Sequence, residues 1–169
     1  MLTQEKQMIH SVTSLSDDEI LNLASRILFR RFKSLGVISE PLNAVEFLRF
    51  QLGRHEREVF GVLYLKSNLK IIGFQELFYG TINNIAIYPR EVVKGALRAN
   101  AAKVILAHNH PSGSCEVSHA DRQITQRLIN ALALVDIAVL DHLIVGKDYF
   151  SFAEHGLINL IDEDFDVPK

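Results

Sequence analysis

The sequence predicts a mixed α/β domain with a small helical extension at its amino-terminal end. Three observations predict this class. After residue 58, apolar runs of strand length alternate with segments whose apolar residues recur at helical spacing. The composition is that of an ordinary globular protein, with 48% hydrophobic and 22% charged residues. A chain of 169 residues is also long enough to bury a continuous core without help from a disulfide or a metal.

The amino-terminal part of the chain carries two helix patterns. Ser16 followed three residues later by Glu19 is typical of a helix start, because each side chain can accept the other's backbone N–H. Pro41 suits the first turn of a second helix, and Gly53 suits its end. The predicted helices run from residue 16 to about 33 and from about 40 to 52.

A polar segment, residues 53–57, separates these helices from the rest of the chain. Residues 1–14 show neither a helical nor a strand period, so they are expected to form a loose arm. We therefore expect two parts: a helical extension over 1–52 and a main domain over 53–169.

The main domain begins with an apolar run that a short turn connects to a second run, which is typical of a hairpin. Its later apolar runs are short and continuous, which is typical of strands buried on both faces of a sheet. The predicted strands are 59–65, 69–77, 85–88, 104–107, 137–145 and 149–152, and the predicted helices are 89–100 and 120–134.

Charge, cysteine content and the length of the apolar runs indicate which cellular compartment and which classes of partner the sequence favours. The net charge of −2 provides no basic field and so does not favour a nucleic-acid partner. The single cysteine cannot form an internal disulfide, which fits a reducing compartment. No apolar run approaches the roughly 18 residues of a membrane span, and the first residues lack the apolar core of a signal peptide. We expect a soluble cytoplasmic protein with no membrane partner.

One polar cluster follows a buried strand. His108 and His110 are two residues apart at the end of the predicted strand, so their imidazoles point the same way. Ser118 is suited to cap the next helix, which puts Asp121 in its first turn. Two nitrogens and one oxygen around an ion, with water opposite, form the open tetrahedral arrangement of a catalytic zinc site.

Each part of this cluster also has an ordinary structural interpretation. The pair Ser118 and Asp121 matches a helix-capping pattern, and two nearby histidines alone are weak evidence for a metal. Their location favours the metal, because unpaired imidazoles beside a core are costly and α/β folds place their sites at the carboxyl ends of strands.

The spacing resembles a known family. His108-x-His110-Pro111, with Ser118 and Asp121 eight and eleven residues past His110, resembles the JAMM (also called MPN) zinc metalloprotease signature. Within that superfamily the chain is most similar to the RadC-like family. The further matching segments are Gly80-Thr81, Pro89-Arg90-Glu91, Asn100-Ala101-Ala102, Asp141-His142 and Ser151-Phe152-Ala153-Glu154.

The resemblance extends from about Ala44 to Leu157 and implies a cytidine-deaminase-like JAMM/MPN sandwich with a mixed sheet. It implies one zinc ion per chain, held by His108, His110 and Asp121. The activity implied is metal-dependent hydrolysis of a peptide or isopeptide bond, with a protein or peptide substrate of unknown identity.

The superfamily also uses a glutamate on the first strand as general base. Glu58 opens the apolar run at that place, and Glu56 is the alternative, since it shares the same face if the strand starts early. Ser118 resembles the serine that donates a hydrogen bond to the developing oxyanion, and it can equally serve only as the helix cap.

Three further questions remain open at this point. Asn109 stands where protease members often have a small hydroxyl residue, so their substrate preference does not carry over. His142 beside Asp141 is either a supporting pair for the site or a hydrogen-bonded histidine in a half-buried strand. The alternatives to a hydrolase are a DNA-associated module and a non-catalytic zinc-binding scaffold that forms a homodimer through its amino-terminal helices. The basic residues that would support DNA association are Arg26, Arg30, Arg31 and Lys33.

Overall fold

The structure is a computed structural model that describes residues 15–34, 41–80 and 86–158. The chain divides into two compact units, Met1–Leu35 and Gly36–Lys169. The sequence-based boundary at residue 52 stays a prediction. None of the helices in the described ranges is long and apolar enough to cross a lipid bilayer.

The smaller unit contains helix α1 (Asp17–Ser34). Its start confirms the predicted capping box: the Ser16 backbone N–H donates to Glu19 Oε2 at 2.8 Å, and the Glu19 N–H donates to Ser16 Oγ at 3.3 Å. The predicted loose arm, residues 1–14, lies outside the described residues.

The larger unit confirms the predicted mixed α/β class. Within the described residues of this unit, five strands form one sheet in the order β2-β1-β3-β4-β5. Only β3 and β4 pair in parallel, and the other neighbours are antiparallel. The elements are α2 (Pro41–Leu52), β1 (Val59–Leu65), β2 (Ile71–Tyr79), α3 (Pro89–Arg98), β3 (Lys103–Asn109), α4 (His119–Ala133), β4 (Ala138–Val145) and β5 (Tyr149–Ser151).

Helices cover both faces of this sheet. Side chains of α3 and α4 pack on one face in a cluster that includes Phe60, Leu106 and Val139. Helix α2 contacts β3 and β4. Strand β1 lies between β2 and β3, and every one of its residues is buried, which explains why its sequence is a continuous apolar run rather than an alternating one.

A bulge in β4 determines which of its side chains face α4. The pairing of β3 with β4 shifts by one residue at Leu140, which has no partner across the ladder. Because side chains alternate with period two, one extra residue moves the following positions to the opposite faces. His142 therefore points toward α4, where its ring meets Thr125, while Asp141 lines the opposite side of the sheet with Leu140.

The predicted short strand over 85–88 is wrong where the structure describes it. Residues 86–88 pair with no strand, and Tyr88 is instead the N-cap of α3. Its extended backbone, with φ −106° and ψ 110°, is the conformation expected of a residue before proline and does not require a sheet. Ile85 lies outside the described residues.

The turn between β4 and β5 supports the loop that follows β3. The His110 N–H donates to the Val145 carbonyl at 2.8 Å, and the Lys147 N–H donates to the Gly113 carbonyl at 2.9 Å. Gly146 lies against this loop so closely that a Cβ there would be 2.5 Å from Gly113 O and 2.8 Å from Cys115 Sγ. The loop can hold its position only because residue 146 has no side chain.

We predict that Gly146→Ala destabilises the protein by about 1–3 kcal/mol, because the new methyl group meets backbone that cannot yield without moving the loop. Urea unfolding measures this change. Gly73→Ala is the matched control, since a Cβ at Gly73 meets nothing within 4 Å. Equal stability of the two variants would contradict the close packing at Gly146.

Candidate metal centre

The carboxyl end of β3 brings two imidazoles together. His108 lies inside the strand and is 1% exposed, and His110 follows directly after the strand and is partly exposed. Their Nε2 atoms are 3.0 Å apart. Alternation along the strand explains the pairing, because residues two apart share a face and the intervening residue does not.

The first turn of α4 adds Asp121 to this pair. Asp121 Oδ1 lies 3.2 Å from His108 Nε2, and Asp121 Oδ2 lies 3.9 Å from His110 Nε2. The carboxylate is held by Ser118, whose backbone N–H donates to Oδ2 at 2.8 Å and whose hydroxyl donates to the same oxygen at 2.6 Å. The capping box therefore fixes the carboxylate that faces the two histidines.

The capping contacts engage the Ser118 hydroxyl both as a donor and as an acceptor. Besides its bond to Asp121, its Oγ accepts the Asp121 N–H at 3.0 Å. The residue is exposed beside a cavity, so its hydroxyl has room to turn toward a bound molecule. The structure thus shows Ser118 as the helix cap, and its predicted oxyanion role stays a prediction.

Glu58 lies on the same side of the sheet as the histidines. It directly precedes β1 and is half-buried, and one ligand atom from each of Glu58, His108 and His110 lies within 4.8 Å of the others. Glu56, the alternative base, is exposed. The structure therefore brings together Glu58, not Glu56, with the predicted ligands, and the roles assigned to these residues stay predictions.

The charges at the site suit a cation. Burial acts to raise the pKa of the Asp121 carboxyl, but its contacts with the His108 ring and with Ser118 outweigh burial and hold that pKa well below its ordinary value. Burial lowers the pKa of His110, and the neighbouring His108 imidazole lowers it further. Burial raises the pKa of Glu58, which makes its carboxylate a stronger base. An ionised carboxylate and neutral imidazoles are the forms that bind metals.

The distances fit a zinc ion. Bonds of about 2.0–2.1 Å in a tetrahedron place ligand atoms about 3.3 Å apart. The separations are near that value: 3.0 Å between the two Nε2 atoms, 3.2 Å from His108 Nε2 to Asp121 Oδ1, and 3.9 Å from His110 Nε2 to the other carboxylate oxygen, Oδ2. Two imidazole nitrogens and one carboxylate oxygen are also the donor set of known catalytic zinc sites.

Asn109 is a supporting residue whose contacts the sequence did not reveal. Its side chain points away from the histidines and is buried. Its Oδ1 accepts the Val59 N–H at 2.7 Å, and its Nδ2 donates to the carbonyls of His55 at 3.2 Å and Arg57 at 3.0 Å. Asn109 therefore ties the segment that carries Glu58 to the strand that carries both histidines.

His142 contacts His108, but its ring does not pair with the Asp141 side chain. The Asp141 carboxylate accepts bonds from Ser151 Oγ and from the backbone N–H groups of His142 and Ala153. The His142 ring contacts His108 and Thr125 instead. Neighbouring side chains in a strand point to opposite faces, and the bulge at Leu140 decides that His142, rather than Asp141, is the one that faces α4.

An open cavity of about 910 Å³ lies beside the site. Glu58, His110 and Asp121 line it, so the polar cluster is accessible to a molecule from solvent. One face of α4 forms a wall of the cavity through mostly polar side chains. The residues of this wall are Ala120, Gln123, Ile124, Gln126, Arg127 and Asn130.

Comparison with known proteins confirms the predicted resemblance. The family described as "RadC-like JAB domain" matches residues 38–157. A UPF0758 protein of Vibrio cholerae serotype O1 is 51% identical over 140 residues, which are 83% of this chain and 89% of that protein. The UPF0758 protein YkfG of Escherichia coli K12 is 51% identical over 144 residues, 84% of this chain and 91% of that protein. A UPF0758 protein of Leptothrix cholodnii is 48% identical over 140 residues, 82% of this chain and 63% of that protein.

We predict that Asn109→Ala costs about 1–3 kcal/mol of stability, because it leaves the buried Val59 N–H and two partly buried carbonyls without their partner. Urea unfolding measures the total cost, and faster hydrogen exchange at the Val59 amide locates it. Asn68→Ala is the control: Asn68 also accepts a backbone N–H, that of Lys70, but it is exposed. Similar changes in both variants would contradict the clamping role of Asn109.

Proposed function

The chain belongs to the RadC-like JAB domain family, and from that premise we propose that it is a zinc-dependent hydrolase that cleaves an amide bond in a peptide or isopeptide. One observation carries the proposal. The side chains of Glu58, His108, His110 and Asp121 converge at the edge of an open cavity, with a carboxylate and two imidazoles at distances that suit zinc.

In this proposal His108, His110 and Asp121 hold one zinc ion per chain. When bound, zinc supplies Lewis acidity, which lowers the pKa of water and polarises a carbonyl group. Glu58 is then the general base rather than a ligand. Its carboxylate takes the proton of the attacking water and returns it to the leaving amine.

The surroundings of the site support an amide substrate. Ser118 donates a hydrogen bond to the oxyanion when its hydroxyl turns from Asp121 Oδ2 toward the cavity. Gln123, Gln126 and Asn130 provide donors and acceptors along the cavity wall, which suit the alternating N–H and C=O groups of a peptide. We therefore propose a protein or peptide substrate.

We predict that the protein, purified without an affinity tag, contains about one zinc ion per chain. His108→Ala combined with His110→Ala should lose the zinc, because two of three ligands are gone. The metal-free variant should still unfold cooperatively, since a unit of this size buries a core without metal. Elemental analysis gives the zinc content, and circular dichroism follows the unfolding.

His119→Ala is the control for this experiment. His119 is also in the first turn of α4, but it is exposed. This variant should keep its zinc. Full zinc content in the double variant would refute the ligand assignment.

We predict that Glu58→Gln retains zinc and loses about two to four orders of magnitude in turnover, because the substitution keeps the shape and removes the base. A panel of peptide and isopeptide substrates, assayed with and without a chelator, measures turnover. Glu56→Gln should stay active, because Glu56 is exposed outside the cluster.

The zinc content of the same variants separates a base from a ligand. If Glu58→Gln loses the ion and Asp121→Asn keeps it, Glu58 is a ligand and the assignment of the two carboxylates is reversed. If Glu58→Gln hydrolyses substrates as well as the unchanged protein, the proposed base is wrong.

A further inference from the structure

A closed ring of polar contacts lies behind His108, on the side away from the cavity. His108 Nδ1 is 2.8 Å from His142 Nε2, and His142 Nδ1 is 2.6 Å from Thr125 Oγ1. Thr125 Oγ1 is 2.6 Å from the backbone carbonyl oxygen of Asp121. The Asp121 side chain closes the ring, because its Oδ1 is 3.2 Å from His108 Nε2.

The backbone carbonyl of Asp121 determines which group donates and which accepts in the three hydrogen bonds that link Asp121, Thr125, His142 and His108. Two oxygens 2.6 Å apart need a hydrogen between them, and a carbonyl has none, so Thr125 donates to Asp121 O. Thr125 Oγ1 must then accept from His142 Nδ1–H. A neutral His142 with its proton on Nδ1 has a lone pair on Nε2, which accepts from His108 Nδ1–H. A neutral His108 protonated at Nδ1 carries its lone pair on Nε2.

That lone pair is the one the ligand site requires. His108 Nε2 is the atom that faces His110 and Asp121. The opposite tautomer of His108 would place a proton where a metal has to bind and would leave two lone pairs facing each other at His142. Histidine ligands of metals usually direct their second N–H at a carboxylate, a carbonyl or water. Here a second histidine takes that place.

We propose that His142 and Thr125 are positioning residues that hold His108 in its metal-binding tautomer and fix it relative to Asp121. This inference rests on the proposed function, since it assumes that His108 is a zinc ligand. Thr125 sits in α4, His142 in β4 and His108 in β3, so the ring joins the three elements that meet at the site.

Burial shields the contact between His108 Nδ1 and His142 Nε2 from solvent. The His142 ring is 0% exposed, and it stacks on Phe152 with ring centroids 4.9 Å apart and an interplanar angle of 21°. Phe60 lies across its edge at 5.6 Å. Water therefore cannot replace the His142 nitrogen from solvent without a rearrangement of this packing.

Two substitutions each break this set of polar contacts at a different residue. Thr125→Val has nearly the same shape but no hydroxyl, and Thr125→Ser is its matched control because it keeps the hydroxyl. His142→Phe keeps an aromatic ring between Phe60 and Phe152 but removes the acceptor for His108. Zinc affinity of the full chain is measured by competition with a chromophoric chelator, and the stability of each metal-free variant is measured by thermal unfolding.

We expect Thr125→Val and His142→Phe to bind zinc about 10- to 100-fold more weakly than the unchanged protein, and Thr125→Ser to restore most of the affinity. In the zinc-loaded protein, ¹⁵N NMR should show His142 protonated at Nδ1. A residue with only a structural role would lower the unfolding temperature and leave the zinc affinity of the folded protein unchanged.

Unchanged zinc affinity in folded Thr125→Val and His142→Phe overturns the inference and leaves the proposed function intact. Protonation of His142 at Nε2 in the zinc-loaded protein overturns it as well, even if one variant fails to fold. If the unchanged protein binds no zinc, the proposed function fails and the inference fails with it.

Discussion

The alternation of side chains at the carboxyl end of β3 is the constraint on which the site depends. His108 faces α4, the next residue, Asn109, faces the opposite way, and His110 returns to the side of His108. The same three residues thus provide two candidate ligands and the clamp on the segment that carries Glu58. A slip of one residue in the register of β3 would exchange these faces and separate all of them at once.

This arrangement places several polar groups where an apolar core would otherwise be. His108, Asn109, Thr125 and His142 are all buried. Such groups destabilise a protein strongly when they lack partners. Within residues 15–34, 41–80 and 86–158, every fully buried side-chain nitrogen or oxygen has a hydrogen-bond partner. Because His108, His142 and Thr125 satisfy one another, loss of one of these three affects the others, and they can act as a single rigid support.

The sequence alone predicts the mixed α/β class and identifies the candidate site residues, because the patterns that indicate the fold class and the site are local. Strand-length apolar runs, the spacing of His108 and His110, and the capping pattern of Ser118 and Asp121 each depend on residues close together in the chain. The contacts of His142 are different. They depend on one unpaired residue in β4, and nothing in the sequence around Leu140 indicates a bulge.

The sequence did not indicate the contacts of Asn109 and Thr125 for a related reason. An asparagine at a strand end and a threonine inside a helix are ordinary residues, and their partners are distant in sequence: Val59 for Asn109 and His142 for Thr125. The wrong prediction of a strand at residues 86–88 has a different cause, because there a local sequence pattern was misleading. The apolar run there looks like a strand, but the proline that follows imposes the same extended backbone without a partner strand.

The side chains on the two sides of the site differ in burial and in the number of contacts that hold them. On the buried side, the ring of His108, His142 and Thr125 fixes its members through short contacts and close packing. On the cavity side, Glu58 is half-buried and Ser118 is exposed. A metal ligand must stay fixed, because metal binding depends on the geometry of its ligands. The buried contacts therefore hold His108, one of the three candidate ligands, whereas Glu58 and Ser118 lie beside the cavity, where a molecule from solvent can reach them.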